Sequence, residues 1–71
     1  MMTAMERLSK NIRLARVRAR LSVRELSIKA GMSEMMVRYY EMARSEPTVS
    51  KLLAISRATD RSVSELLKGL E

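Results

Sequence analysis

Gly31 is one of only two glycines in a chain of 71 residues, and the residues around it leave little choice of local fold. Ahead of it, Ser22 and Glu25 stand at the spacing at which a serine hydroxyl and a glutamate carboxylate cap each other's backbone amides at a helix start. Val23, Leu26 and Ala30 follow at helical steps. Gly31 then supplies the left-handed residue that ends a helix without steric cost. Met32 tucks inward, and Ser33 caps a second stretch running through Met35, Met36, Val37, Arg38, Tyr39, Tyr40 and Glu41. The pattern predicts two short helices joined by a tight turn.

The rest of the chain reads in the same language. Upstream, from about Ala4, the residues Met5, Leu8, Ile12, Ala15 and Ala19 recur at three- and four-residue steps and leave Arg7, Lys10, Arg13 and Arg18 mostly outward, an amphipathic first helix. Downstream, Ala43 to Pro47 reads as a loop, because proline has no amide hydrogen and biases Glu46 away from helix. Thr48 caps a stripe of Val49, Leu52, Leu53, Ile55 and Ala58, which breaks near Asp60. Ser62 and Glu65 then cap a last turn carrying Val63, Leu66 and Leu67. The expectation is an all-α fold of five helices forming one domain over residues 4–69. Residues 1–3 and 70–71 are assigned to disordered or cloning-derived termini, since the doubled Met1–Met2 and the closing Leu70–Glu71 resemble cloning junctions. An engineered or designed origin stays open.

Composition narrows the function. The chain has no Phe, Trp, Cys or His, so its core must be aliphatic and Met-based. A disulfide framework and a thiolate or imidazole metal site are excluded. With Asp60 the single aspartate and no glycine-rich phosphate loop, no catalytic constellation is readable; neither cofactor nor small-molecule substrate is expected. Lys and Arg number 14 against 8 Asp and Glu, a net charge of +6 with a pI near 10.5. That excess suits a polyanion, though a basic surface can also serve solubility alone. No apolar run reaches the ~18 residues of a membrane span and no leader pattern opens the chain, so a cytoplasmic location without membrane contact is expected.

The spacing Leu26, Gly31, Val37 is that of a helix, a glycine turn and a second helix, the helix-turn-helix arrangement. In it the first helix lies across the DNA backbone and the second enters the major groove. A generic helical hairpin shares the spacing. Over about Leu8 to Lys68, however, the chain resembles the lambda-repressor-like, or Cro and C1 type (XRE), helix-turn-helix family. The resemblance rests on Ile12-Arg13 with Arg16, Leu21-Ser22 with Glu25-Leu26, Ala30-Gly31-Met32-Ser33, Val37 with Tyr39-Tyr40-Glu41, Pro47 with Leu52, and Val63 with Glu65-Leu66-Leu67. It implies a compact five-helix bundle, duplex DNA as partner, a transcriptional regulator acting as a repressor, and a structural salt bridge between Arg16 and Glu41. It also exposes three departures. Val23 stands where relatives carry a phosphate-contacting glutamine. Arg20 and Ala43 stand where they carry glycines, so both loops are expected to bend differently or to be strained. Glu34, Met35 and Met36 stand where the reading face is commonly polar.

Within that arrangement the base-contacting candidates are Ser33, Glu34, Met35, Arg38 and Tyr39. Arg38 can donate twice to guanine O6 and N7, Glu34 can accept from cytosine N4, and Met35 can pack on a thymine methyl. Alternatively, Glu34 only complements a helix N-terminus and Arg38 is a solvated charge. One of Met35 and Met36 is expected in the core, as Tyr40 is. Phosphate-contacting candidates are Ser22, Arg24, Arg44, Ser45 and Lys51, which would position the domain without specifying sequence. Arg7, Lys10, Arg13, Arg18, Arg57, Arg61 and Lys68 read as solvated faces or sources of long-range attraction, not as direct contacts. A weak homodimer would have to use the last helices around Val63 and Leu67. The competing reading is a protein-interaction module built on a flexible surface of Met32, Met35, Met36 and Met42. It leaves Arg24, Arg38 and Arg44 without a role.

Overall fold

The computed structural model describes residues 1–70. Five helices follow one another, α1 (Ala4–Arg18), α2 (Val23–Ala30), α3 (Glu34–Glu41), α4 (Val49–Thr59) and α5 (Val63–Leu66), with no strand among the described residues. Every helix starts on a hydroxyl. Thr3, Ser22, Ser33, Thr48 and Ser62 each accept a bond from the amide three residues on, satisfying a donor that the helix itself leaves orphaned. In α1, α2 and α5 the return half of the capping box is present as well, through Glu6, Glu25 and Glu65.

The helix ends repeat one device. After α1, α2, α3 and α4 the chain turns through a left-handed residue, Arg20 (φ 59°), Gly31 (φ 68°), Ala43 (φ 57°) and Asp60 (φ 56°). In each case the following amide reaches back five residues: Leu21 to Arg16, Met32 to Ser27, Arg44 to Tyr39 and Arg61 to Ser56, at 2.9–3.1 Å. That pattern defines the Schellman motif. Three of these turns lead within two residues into the next cap, giving Arg20-Leu21-Ser22, Gly31-Met32-Ser33 and Asp60-Arg61-Ser62. The chain therefore reverses with three-residue connectors, only one of which has a glycine at its left-handed position.

The core is aliphatic with one aromatic. Leu8, Ile12, Ala15, Tyr40, Leu52, Ile55 and Leu66 cluster, and Met32, Met36 and Leu70 pack against them from the edge. Leu26 and Val37 are fully enclosed and tie the two helices around Gly31 into the body. Burial of each such side chain contributes about 1.5–3 kcal/mol. Ser9, Ser27 and Thr59 are buried hydroxyls, and each bonds a carbonyl one turn back on its own helix. α2 packs on α3 and α4, while α1 packs on α3, α4 and α5.

Several expectations change. Val49 is 74% exposed and Leu53 39%, so the apolar stripe of α4 narrows to Leu52 and Ile55, with Ala58 half-buried. Thr3, assigned to the terminus, caps α1, and Leu70 rests on the core. Met1 and Met2 are exposed, and Glu71 lies outside the described residues. Arg7 is half-buried rather than outward, and its side chain runs alongside Gly69. No helix among the described residues is long and apolar enough to cross a membrane.

Candidate nucleic-acid interface

The face around α3 is built by its own periodicity. Val37 and Tyr40 point inward, with Tyr40 only 5% exposed, and burial raises its phenol pKa above the ordinary value. The opposite side must then carry Met35, Arg38, Tyr39 and Met42. All four are exposed, Met35 at 61% and Tyr39 at 42%. Ser33 is exposed at the N-cap, its Oγ accepting from the Met36 amide at 3.1 Å. Four of the five base-contact candidates are thus exposed on one short helix and its cap, with Glu34 half-buried beside them.

Glu34 and Arg38 sit one turn apart and meet at 3.9 Å with both side chains largely solvated. Such a pair is worth only a few tenths of a kcal/mol. The guanidinium is biased toward the N-terminal end of α3 without being locked. The four methionines of the competing surface divide: Met32 and Met36 turn toward the core, and only Met35 and Met42 are exposed.

What holds α3 in place is the Arg16–Glu41 pair. Nε of Arg16 donates to Oε2 at 2.7 Å and Nη2 to Oε1 at 3.0 Å, while Nη1 donates to the Leu21 carbonyl at 3.0 Å. The side chains are 16% and 8% exposed. One guanidinium thereby fastens the end of α3 to α1 and to the connector ahead of α2, with the bidentate geometry that only arginine offers. The structure brings together the two residues for which the family resemblance implies this bridge.

The phosphate candidates lie around the rim. Arg24 and Arg44 are exposed, and Ser45 and Lys51 are half-buried. Ser22 is exposed, but its amide already donates to Glu25 Oε1 at 2.8 Å and its Oγ accepts from the Glu25 amide at 3.0 Å. The first of these bonds, from the Ser22 amide to the carboxylate, is the largest cause of a lowered Glu25 pKa, with the Ser22 hydroxyl second, and a carboxylate so placed leaves the start of α2 less receptive to an anion. The start of α4 differs: no acid occupies its first turn, and Lys51 stands where the other capped helices carry glutamate or methionine.

Sequence reasoning missed two features. Asn11 Nδ2 donates to the Leu66 and Lys68 carbonyls at 2.8 and 2.9 Å, a contact across more than fifty residues that no local pattern announces. The Thr3/Glu6 capping box, in contrast, was signalled by its own spacing.

Two short helices joined through a left-handed glycine, the second anchored inward by Val37 and Tyr40 and bared outward, form a helix-turn-helix unit. Residues 12–66 match the helix-turn-helix family. The chain belongs to that family. Two solved structures resemble this helix-turn-helix domain closely in fold. The restriction-modification controller protein C.AhdI from Aeromonas hydrophila superposes with a TM-score of 0.84 at 21% identity, over 87% of this chain and 94% of the other. A hypothetical transcription factor, NHTF from Neisseria, gives a TM-score of 0.84 at 26% identity, over 90% of this chain and 74% of the other. No curated protein matches the chain.

Proposed function

We propose that this helix-turn-helix domain binds double-stranded DNA in a sequence-specific manner as a transcriptional regulator, with α3 as the helix that reads the major groove. One observation carries the reading: a helix of two turns bares Met35, Arg38 and Tyr39 on one side while Val37 and Tyr40 fix the other. Such a helix is narrow enough for a groove ~12 Å wide, and its outward row is what would meet base edges. Ser33, Glu34, Met35, Arg38 and Tyr39 make the base contacts. Arg24, Arg44, Ser45 and Lys51 hold phosphates, with Ser22 limited to its hydroxyl hydrogen. Likeness to a transcription factor supports a regulatory role, and repression in the cytoplasm is the role we assign. The protein-interaction alternative is weakened because half of its methionines face the core.

Val63, half-buried, and Leu67, 37% exposed, lie on the α5 turn and are the contact we assign to a weak homodimer. Sedimentation equilibrium that stays monomeric at high protein concentration, with and without DNA, removes that part of the reading.

The test of DNA reading is binding-site selection from randomised duplexes with wild type and Arg38→Ala at two salt concentrations. An enriched motif is expected, with affinity falling steeply as salt rises. The variant should lose the preference for one guanine, about 1–3 kcal/mol of discrimination. Selection that returns no motif, with both proteins binding equally weakly, would refute the assignment of α3.

A further inference from the structure

Arg13 reads from the sequence as one solvated charge among several on α1. The fold places it differently. Between α1, the start of α2 and the outer side of α3 lies a cleft of about 290 Å³ lined by Arg13, Arg16, Val23, Arg38, Glu41 and Met42. Its charged groups are not equivalent. Arg16 and Glu41 are mated through two short bonds, and the third donor of Arg16 is spent on the Leu21 carbonyl. They form a self-neutralised part of the wall. Arg38 has only its loose contact with Glu34 at 3.9 Å. Arg13 is exposed and has no ion-pair partner among the described residues.

Two guanidinium groups therefore border one cleft, with no free carboxylate among its lining residues. Like charges gathered in this way cost free energy in the unbound protein, and an anion entering the cleft relieves that cost. Val23, the first residue of α2, gives its part of the wall an apolar side chain with nothing to donate. The side-chain donors of this lining then come from α1 and α3. Arg38 lies on the α3 row assigned to base edges, and Arg13 faces it across the cleft from α1.

We infer that Arg13 is a phosphate-contacting residue, so that α1 grips the DNA backbone across the cleft beside the reading helix. This rests on the assignment of α3 to the major groove. Arg13 then fixes the depth and tilt of α3 without reading sequence, and its contribution is the same on every duplex.

The experiment compares wild type, Arg13→Gln and Arg18→Gln on the selected duplex and on a random-sequence duplex, with dissociation constants measured from low to high salt. Arg18 lies on the same helix, is exposed, and lines instead the clefts toward α4 and α5. Both variants remove one charge from α1, so long-range attraction alone weakens them equally. Arg13→Gln is expected to bind about tenfold more weakly on both duplexes, as for the loss of a charged hydrogen bond. The slope of log affinity against log salt should become shallower by about one, while Arg18→Gln stays within about twofold of wild type. Equal losses in the two variants, or an unchanged salt slope for Arg13→Gln, overturn the inference and leave DNA reading by α3 intact. A wild type that fails to bind either duplex overturns both.

Discussion

Arg20, Ala43 and Asp60 adopt the left-handed backbone region in which a side chain meets its own carbonyl, at a cost of about 1–2 kcal/mol for most residues. The amide hydrogen bonds that close each Schellman turn fix these angles, and at Arg20 and Asp60 the connector to the next cap is only three residues long. The resemblance to relatives with glycine at two of these positions raised bending or strain as the outcome, and the backbone keeps the left-handed turn at both. Relief should be measurable. Ala43→Gly and Arg20→Gly are each expected to raise unfolding stability by roughly 1 kcal/mol, less the entropy a glycine adds to the unfolded chain. Urea titration reads the gain directly. Asp60→Gly should gain less, because a short polar side chain tolerates this region better. A loss of stability in Ala43→Gly would mean that the turn is unstrained.

At the scale of the helix, stability is concentrated at the ends. Glu25 and Glu65 carry carboxylates held below the ordinary glutamate pKa, in each case first by the backbone amide of the capping serine. A group whose folded-state pKa is lowered stabilises the fold above its unfolded value, near 4.3, and that contribution fades as pH falls through the folded value. Melting temperature should therefore decline below about pH 4.5 partly through these two caps. Glu25→Gln with Glu65→Gln is expected to lower it at pH 7 and to flatten the acid limb. An acid limb of unchanged steepness would assign the decline to other carboxylates. The same concentration of signal at helix ends explains what the sequence disclosed. Ser22-Glu25, Gly31, Ser33, Thr48 and Ser62-Glu65 act within four residues, so the start of every helix after the first, the central turn and the exposed row of α3 were legible. The outward turn of Val49 and Leu53 was not, because it depends on which side of α4 meets α2, α1 and α5. Nor was the cleft beside Arg13, which needs α1, α2 and α3 in place before it exists.

Across the whole molecule, two polar contacts do what a small core cannot. The Arg16–Glu41 pair joins α1 to α3 with little access to water, so removing one partner strands a charge. Glu41→Ala is expected to cost about 3 kcal/mol, a large part of the roughly 5–15 kcal/mol available to a domain. A urea midpoint shift worth less than about 1 kcal/mol would place the pair with ordinary surface bridges. Asn11, for its part, holds the Leu66 and Lys68 carbonyls, at and just past the end of α5, against α1. Its consequence is temporal. A chain emerging from the ribosome carries its first helix early, yet cannot close this clamp until Leu66 and Lys68 have followed, so a chain cut short of α5 lacks it. Such a shortened chain would spend more of its time open, and proteases that act on the open form would remove it faster.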